Sequence, residues 1–224
     1  NDIRLENYVD ESFKELFFHV DKEVKPEYNG IQLLNSAVIV RYIKQLLGHD
    51  LRYAPFTLVA TELPVHEPIT IQTSEGPVES TIGGYIDRLD SKEGTLRIVD
   101  YKTGGNADMP TCVKALFIPG KERSNYVFQT FLYAAIMSRK REEKIAPSLL
   151  YIHRAASDEY SPVICLKEPR KPEVPVDDFS IYEKEFREEL HQLLEEIFNK
   201  EVPFVQTEIK EKCAYCDFKA LCKK

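Results

Sequence analysis

The architecture follows from two stretches of the chain, Gly84-Tyr-Ile-Asp-Arg-Leu-Asp90 and Ile98-Val-Asp-Tyr-Lys-Thr-Gly104. Both have the apolar and polar alternation that is typical of β-strands. Side chains in a strand alternate between the two faces, so Asp100 and Lys102 are expected on the same side. The polar link of residues 90–94 predicts a hairpin turn between the two strands.

The carboxylates of these strands predict a metal site. A hairpin would bring Asp87 of the first strand beside Asp100 of the second. Two carboxylates this close repel each other unless a cation lies between them. Mg²⁺ suits the position because it prefers oxygen ligands and keeps several waters available for a phosphate. Lys102 would then either orient the attacking water or stabilise charge on the phosphate, and the sequence leaves both roles open.

Outside these two strands, the first fifty residues predict two amphipathic helices, over residues 5–20 and 31–47. The pattern then favours strands, followed by a helix, a further strand and a long helix. The predicted strands are 56–65, 69–71, 81–89, 96–102 and 148–153, and the later helices are 124–139 and 177–199. This order predicts one α/β domain, with a helical lead-in (1–50), a catalytic core (56–155), a helix (176–200) and a cysteine tail (203–224).

The motif Gly-x-Ile-Asp-Arg-x-Asp, followed by Ile-Val-Asp-Tyr-Lys-Thr-Gly, resembles the RecB/AddB-type branch of the PD-(D/E)XK nuclease superfamily. The resemblance implies a restriction-endonuclease-like core, a mixed sheet flanked by helices. It also implies that Asp87 and Asp100 bind Mg²⁺ or Mn²⁺, that Lys102 assists catalysis, and that the substrate is DNA. A Gln-x-x-x-Tyr signature of this branch matches Gln129 and Tyr133, whose spacing places both on one helix face. The resemblance implies that they are catalytic-site residues that contact the active site or the DNA, and the alternative is a helix face packed on the sheet.

The same resemblance extends to the C-terminal cysteines. Cys213, Cys216 and Cys222 are similar to the last three cysteines of the iron–sulfur members of the branch, which implies a [4Fe–4S] cluster in the full-length protein. Zinc is the alternative, because Cys-x-x-Cys is also a common zinc element. Cys112 and Cys165 are expected to be apolar fillers.

Two features of the branch have no counterpart here. Its upstream cysteine is missing, and His19 lacks the glycine that precedes the metal-binding histidine of the family by four residues. We therefore expect the chain to be a piece of a longer protein, a nuclease module attached to a helicase-like region in DNA repair or recombination.

Charge is distributed unevenly along the sequence. The net charge is −7, yet residues 102–141 carry more basic than acidic residues. This stretch predicts a phosphate-contacting patch that includes Lys114, Lys121 and Arg123. Glu62 is a candidate extra carboxylate near the metal. With no apolar run of membrane-spanning length, the sequence predicts a cytoplasmic protein.

Three function classes remain open at this point. The first is a metal-dependent deoxyribonuclease. The second is a catalytically silent domain of the same fold that binds DNA or acts as a scaffold. The third is a zinc-ribbon-capped binding domain.

Overall fold

A computed structural model describes residues 2–105, 109–120, 123–203, 205–214 and 216–223. Contacts between Cα atoms divide the chain into two compact units. The first unit comprises Asn1–Phe56, Tyr101–Asn106 and Leu150–Pro162. The second comprises Thr57–Asp100, Ala107–Leu149 and Val163–Lys224.

The sheet has the strand order β1-β2-β3-β4, made of β1 (Thr57–Thr73), β2 (Gly76–Lys92), β3 (Thr95–Lys102) and β4 (Lys144–Tyr151). Strand β1 pairs antiparallel with β2, and β2 pairs antiparallel with β3. Because the sheet is mixed, the remaining pair, β3 with β4, is parallel. Helix α3 (Asn125–Ser138) lies between these two strands in the sequence, as parallel neighbours require a crossover connection.

One face of the β1–β2 hairpin forms part of the core of the second unit. Val65, Ile69 and Ile71 of β1 alternate with exposed residues and are buried, which is the pattern of a strand with one covered face. Helices α3 and α4 (Ser180–Phe198) contact β1. Helix α3 begins after Ser124, whose hydroxyl accepts a hydrogen bond from the Val127 amide (3.2 Å).

The first unit is largely helical. It contains α1 (Asp2–Ser12), which continues into a π-helical turn (Phe13–Phe17), and α2 (Gly30–Tyr53). The start of α2 is fixed by a capping box in which Asn29 and Gln32 satisfy each other's backbone amides. At the other end of α2, Arg52 donates a 2.6 Å hydrogen bond to the Ala155 carbonyl.

The rest of the second unit consists of short elements. Strands β5 (Cys165–Leu166) and β6 (Val174–Pro175) form a small antiparallel pair. The tail contains two short helices, α5 (Lys210–Ala214) and α6 (Lys219–Cys222). Within the described ranges, no helix combines the length and apolar character that a membrane crossing needs.

The expected α/β fold, a mixed sheet flanked by helices, is confirmed, whereas several boundaries were wrong. Residues 57–65 and 69–71 belong to the single strand β1, which begins one residue after the predicted 56, and α2 continues five residues past Gly48 to Tyr53. Strand β4 begins four residues before the predicted 148. Most importantly, Asp90 is not part of a turn: β2 runs to Lys92, and only Glu93 and Gly94, both with positive φ, form the turn.

Candidate active site

The antiparallel pairing of β2 and β3 brings the two motif aspartates together. Arg88 is the Cα partner of Val99. Continuing this register by one residue places Asp87 opposite Asp100. The neighbouring pair on the same face, Leu89 with Ile98, is fully buried. Two carboxylates therefore lie next to buried apolar side chains. Asp100 is buried (4 % exposed) and Asp87 is half-buried.

Lys102 is the last residue of β3 and is half-buried. It follows Asp100 by two residues, so the alternation of the strand directs both side chains to the same side of β3. Thr103 and Gly104 follow directly, and Gly104 has open space where a side chain would be. The strand thus ends with a carboxylate and an ammonium group on one side.

The opposite face of the same two strands carries a buried charged triad that the sequence analysis missed. Asp90 is completely buried, and Arg88 and Arg97 are only 5 % and 4 % exposed. Arg97 binds Asp90 through two parallel hydrogen bonds, Nε to Oδ1 (3.0 Å) and an η nitrogen to Oδ2 (2.8 Å). Arg88 Nε donates to Asp90 Oδ2 at 2.9 Å. The signal was present in the sequence, since Arg88 and Asp90 are two residues apart in a strand-like segment.

This triad fixes the position of the aspartate pair. Asp90 and Arg97 are Cα partners across β2 and β3. A bidentate arginine–carboxylate pair has a defined geometry, so a slip of one residue would break it. Asp87 lies three residues before Asp90 on β2, and Asp100 lies three residues after Arg97 on β3. The register that the triad maintains is therefore the register that brings Asp87 and Asp100 together.

Glu62 occupies the equivalent position on β1. Thr61 pairs with Arg88 and Leu63 with Ile86, so a constant register leaves Glu62 opposite Asp87. Its φ of 48° lies in the left-handed region, which is uncommon for residues other than glycine. The residue is exposed. A role for Glu62 as an additional metal ligand stays a prediction.

The aspartate pair suits a hard cation. Among the described residues, no three His, Cys, Asp or Glu side chains are placed to hold a metal ion together. Mg²⁺ does not need three, because it is commonly bound through one or two carboxylates, with waters and substrate phosphates as the other ligands. Asp87 and Asp100 would supply those carboxylates.

The Gln-x-x-x-Tyr residues lie on α3 and contact each other. The Gln129 amide nitrogen donates a 3.0 Å hydrogen bond to the Tyr133 hydroxyl, and Tyr133 is buried. Its ring packs against Gly84, where a Cβ would come within 2.5 Å of the hydroxyl oxygen. The glycine of the strand motif and the tyrosine of the helix signature are therefore in contact, three residues from Asp87 along β2.

Two of the basic residues proposed to contact phosphate, Lys114 and Arg123, have partners within the protein. Lys114 lies 3.5 Å from Glu189, and the guanidinium of Arg123 lies over the Phe128 ring at 5.6 Å from its centroid. Lys121 lies outside the described residues. The phosphate-contacting patch stays a prediction.

The tail cysteines are free thiols, with Cys216 exposed and Cys213 and Cys222 half-buried. A [4Fe–4S] cluster usually takes four thiolates, and the tail supplies three. The other two cysteines do not complete the set in the described structure: Cys112 is exposed elsewhere, and Cys165 is half-buried in β5, where burial raises the pKa of its thiol. These residues alone do not fit a complete cluster.

A mixed four-strand sheet flanked by helices is consistent with the restriction-endonuclease-like fold. The comparison with protein families agrees. The chain belongs to the PD-(D/E)XK nuclease superfamily, whose family model matches residues 2–223. No curated protein matched the sequence significantly.

Proposed function

We propose that this protein is a deoxyribonuclease of the RecB/AddB type that depends on Mg²⁺ or Mn²⁺ and hydrolyses phosphodiester bonds. The observation that supports the proposal is the β2–β3 register, in which Arg88 pairs with Val99, so that a continuation by one residue would set Asp87 opposite Asp100. Two facing carboxylates next to the buried Leu89 and Ile98 repel each other, and a divalent cation bound between them would relieve that repulsion.

In this mechanism Asp87 and Asp100 hold the metal, and a bound divalent ion supplies Lewis acidity toward the phosphate and favours ionisation of the attacking water. Lys102 donates hydrogen bonds from its ammonium group to a nonbridging phosphate oxygen or to the attacking water. Its position two residues after Asp100 supports either role. Charge that develops on the phosphate oxygens is then stabilised by a cation already in place.

The remaining predicted residues have supporting roles in the proposal. Tyr133 packs against Gly84 and so supports the strand that carries Asp87, and Gln129 holds the Tyr133 hydroxyl by a hydrogen bond. Glu62 is proposed to contact the metal shell. The DNA backbone is proposed to contact Lys114, Lys121 and Arg123. The same proposal includes a helicase-like region or partner in DNA repair or recombination. It also includes a [4Fe–4S] cluster completed by a cysteine outside this chain.

The test is cleavage of labelled single- and double-stranded DNA with Mg²⁺ or Mn²⁺, for the wild type and for Asp87→Asn, Asp100→Asn and Lys102→Ala. We expect each substitution to lower kcat by at least about 100-fold, the scale of losing one preorganised charged group. EDTA should abolish cleavage. Asp178→Asn and Lys184→Ala remove like charges elsewhere in the second unit and should cleave as the wild type does.

Two results would overturn the proposal. Metal-dependent cleavage that persists in all three site variants would place the active site elsewhere. DNA binding without cleavage, by a folded protein with either metal, would identify the catalytically silent alternative.

A further inference from the structure

The β1–β2 hairpin continues beyond β3 as a two-stranded ribbon with one open face. Strand β3 pairs with β2 only at residues 88–92, whereas β1 pairs with β2 down to residue 76. The side of this ribbon that carries Val65 and Ile86 is buried. The other side, which we call the ribbon face, consists of Pro64, His66 and Pro68 of β1 and Thr81, Gly83 and Tyr85 of β2, all exposed.

The ribbon face is continuous with the aspartate pair. Tyr85 and Asp87 are two residues apart on β2, so their side chains leave the same face of the strand, about 6.6 Å apart along it. This distance is comparable to the size of one nucleotide. A nucleotide whose phosphate lies at Asp87 and Asp100 would therefore have its own base, or that of a neighbour, within reach of the Tyr85 ring.

Tyr85 is unusually exposed to solvent for an aromatic residue in the middle of a strand. It is 63 % exposed, more than any other tyrosine in the described part of the chain. Across those same residues its side chain has no hydrogen bond, ring contact or cation–π contact. Aromatic rings bury large apolar areas and normally dominate cores and interfaces, so this ring contributes little to the folded protein itself.

The neighbours of Tyr85 on the ribbon face add no long side chain beside its ring. Gly83 precedes it on the same face, and a Cβ there would lie 2.2 Å from the Val65 carbonyl oxygen and 2.9 Å from the His66 Cα. The position therefore has to stay without a side chain. Directly across, the Cα partner of Tyr85 is Pro64, a short and rigid neighbour. Neither neighbour covers the ring, which stays exposed.

We propose that Tyr85 is a specificity-determining residue that stacks on a nucleobase of single-stranded DNA while the adjoining phosphate is held at Asp87 and Asp100. The inference rests on the proposed nuclease function. Single-stranded DNA is the favoured substrate because the faces of its bases are available to aromatic side chains, whereas those of a duplex are stacked within the helix.

A kinetic test distinguishes recognition of the base from recognition of the phosphate. Base–aromatic stacking contributes about 1–3 kcal/mol per base, which corresponds to roughly a 5- to 150-fold change in affinity. We expect Tyr85→Ala to raise KM for a single-stranded oligonucleotide within that range, with kcat nearly unchanged, and Tyr85→Phe to restore the wild-type KM. On a strand of the same length with abasic sites, wild type and Tyr85→Ala should have the same KM.

A binding test works even if the chain does not cleave DNA. The chain contains no tryptophan, so Tyr85→Trp introduces a single reporter. With Ca²⁺ in place of Mg²⁺, we expect oligothymidylate to quench its fluorescence and the abasic strand to leave it unchanged. Tyr8→Trp and Tyr8→Ala, on an exposed tyrosine of α1 (53 % exposed), are the matched controls and should show neither effect.

The outcomes of the two proposals can be told apart. Cleavage by the wild type with an unchanged KM in Tyr85→Ala would overturn the role of Tyr85 and leave the nuclease intact. Quenching of Tyr85→Trp by oligothymidylate, without cleavage by any form of the protein, would support base stacking and refute the nuclease. Equal quenching by the normal and abasic strands would refute stacking in either case.

Discussion

At the scale of single residues, Gly84 shows how a motif position is set by its neighbour and not by its backbone. No strained φ is associated with Gly84, yet an added Cβ would meet the Tyr133 hydroxyl at 2.5 Å and the ring carbons at 2.9 and 3.0 Å. Tyr133 cannot easily withdraw, because it is buried and hydrogen-bonded to Gln129. The strand motif contains a glycine here because a helix side chain occupies the space.

We therefore expect Gly84→Ala to destabilise the protein by about 1–3 kcal/mol, the usual cost of overpacking a core. Urea unfolding followed by circular dichroism measures the change. Tyr133→Phe removes the closest atom, so the double variant should lose less stability than the sum of the two single variants.

The matched substitution is Gly48→Ala in α2. A Cβ there meets only Arg52, at an ordinary 3.7 Å, and alanine is favoured over glycine in a helix by up to about 1 kcal/mol. This variant should be more stable than the wild type. Destabilisation of both alanine variants to the same degree would contradict the packing argument for Gly84.

At the scale of secondary-structure elements, the β2–β3 hairpin depends on the buried triad of Arg88, Asp90 and Arg97. Two cations share one carboxylate at 0–5 % exposure. Removing one partner of a buried ion pair leaves an uncompensated charge and typically costs 3–5 kcal/mol. Here the loss of Asp90 would leave two arginines facing each other.

We expect Asp90→Ala to lower the free energy of unfolding by about 3–5 kcal/mol, and to increase amide hydrogen exchange in β2 and β3 before the rest of the sheet. Glu188→Ala breaks the exposed Lys184–Glu188 pair and should change stability by less than about 0.5 kcal/mol. A small and uniform effect of Asp90→Ala would show that the triad does not hold the register.

The same elements show how far the sequence could predict this structure. The Asp87–Asp100 pairing was predictable, because period-two alternation and a short link constrain two consecutive strands. The burial of Asp90 was not, because aspartate is almost always exposed unless it is paired, and its bidentate partner Arg97 becomes a neighbour only once the register is known.

Strand β1 illustrates a second limit. The predicted strands 56–65 and 69–71 leave a gap that contains Pro68, and proline cannot donate to a ladder of hydrogen bonds. In the sheet order, β1 is an edge strand, and proline is tolerated on edge strands, where the amides on the outer side have no neighbouring strand to bond. The position of a strand within a sheet is a property of the whole fold, and local sequence does not contain it.

At the scale of the whole molecule, the response to acid depends on carboxylates in both units. In the second unit, Asp178 accepts hydrogen bonds from the Ser180 hydroxyl (2.6 Å) and amide (3.1 Å). The hydrogen bond from the Ser180 hydroxyl is the main cause of the lowered pKa of Asp178. In the first unit, hydrogen bonds from Lys14 and then from Tyr28 lower the pKa of Asp10.

The sign of the pH dependence follows from these lowered values. A folded state with a lowered carboxyl pKa binds fewer protons than the unfolded chain, whose aspartates titrate near ~3.9. The stabilisation by Asp178 and Asp10 is therefore complete above that value. The stabilisation is lost as the pH falls below the pKa of the unfolded chain and through the lower pKa of the folded state.

We expect Ser180→Ala to lower the urea midpoint relative to the wild type at about pH 6, and this difference to shrink as the pH falls below about 4, because protonated Asp178 no longer benefits from the donated bond. Ser74→Ala, an exposed serine in the β1–β2 turn, controls for the loss of a hydroxyl group and should give a difference that does not vary with pH. A Ser180→Ala difference that stays constant from about pH 6 to about pH 3 would mean that Ser180 acts through helix packing. In that case the charge on Asp178 would not contribute to the acid sensitivity of the protein.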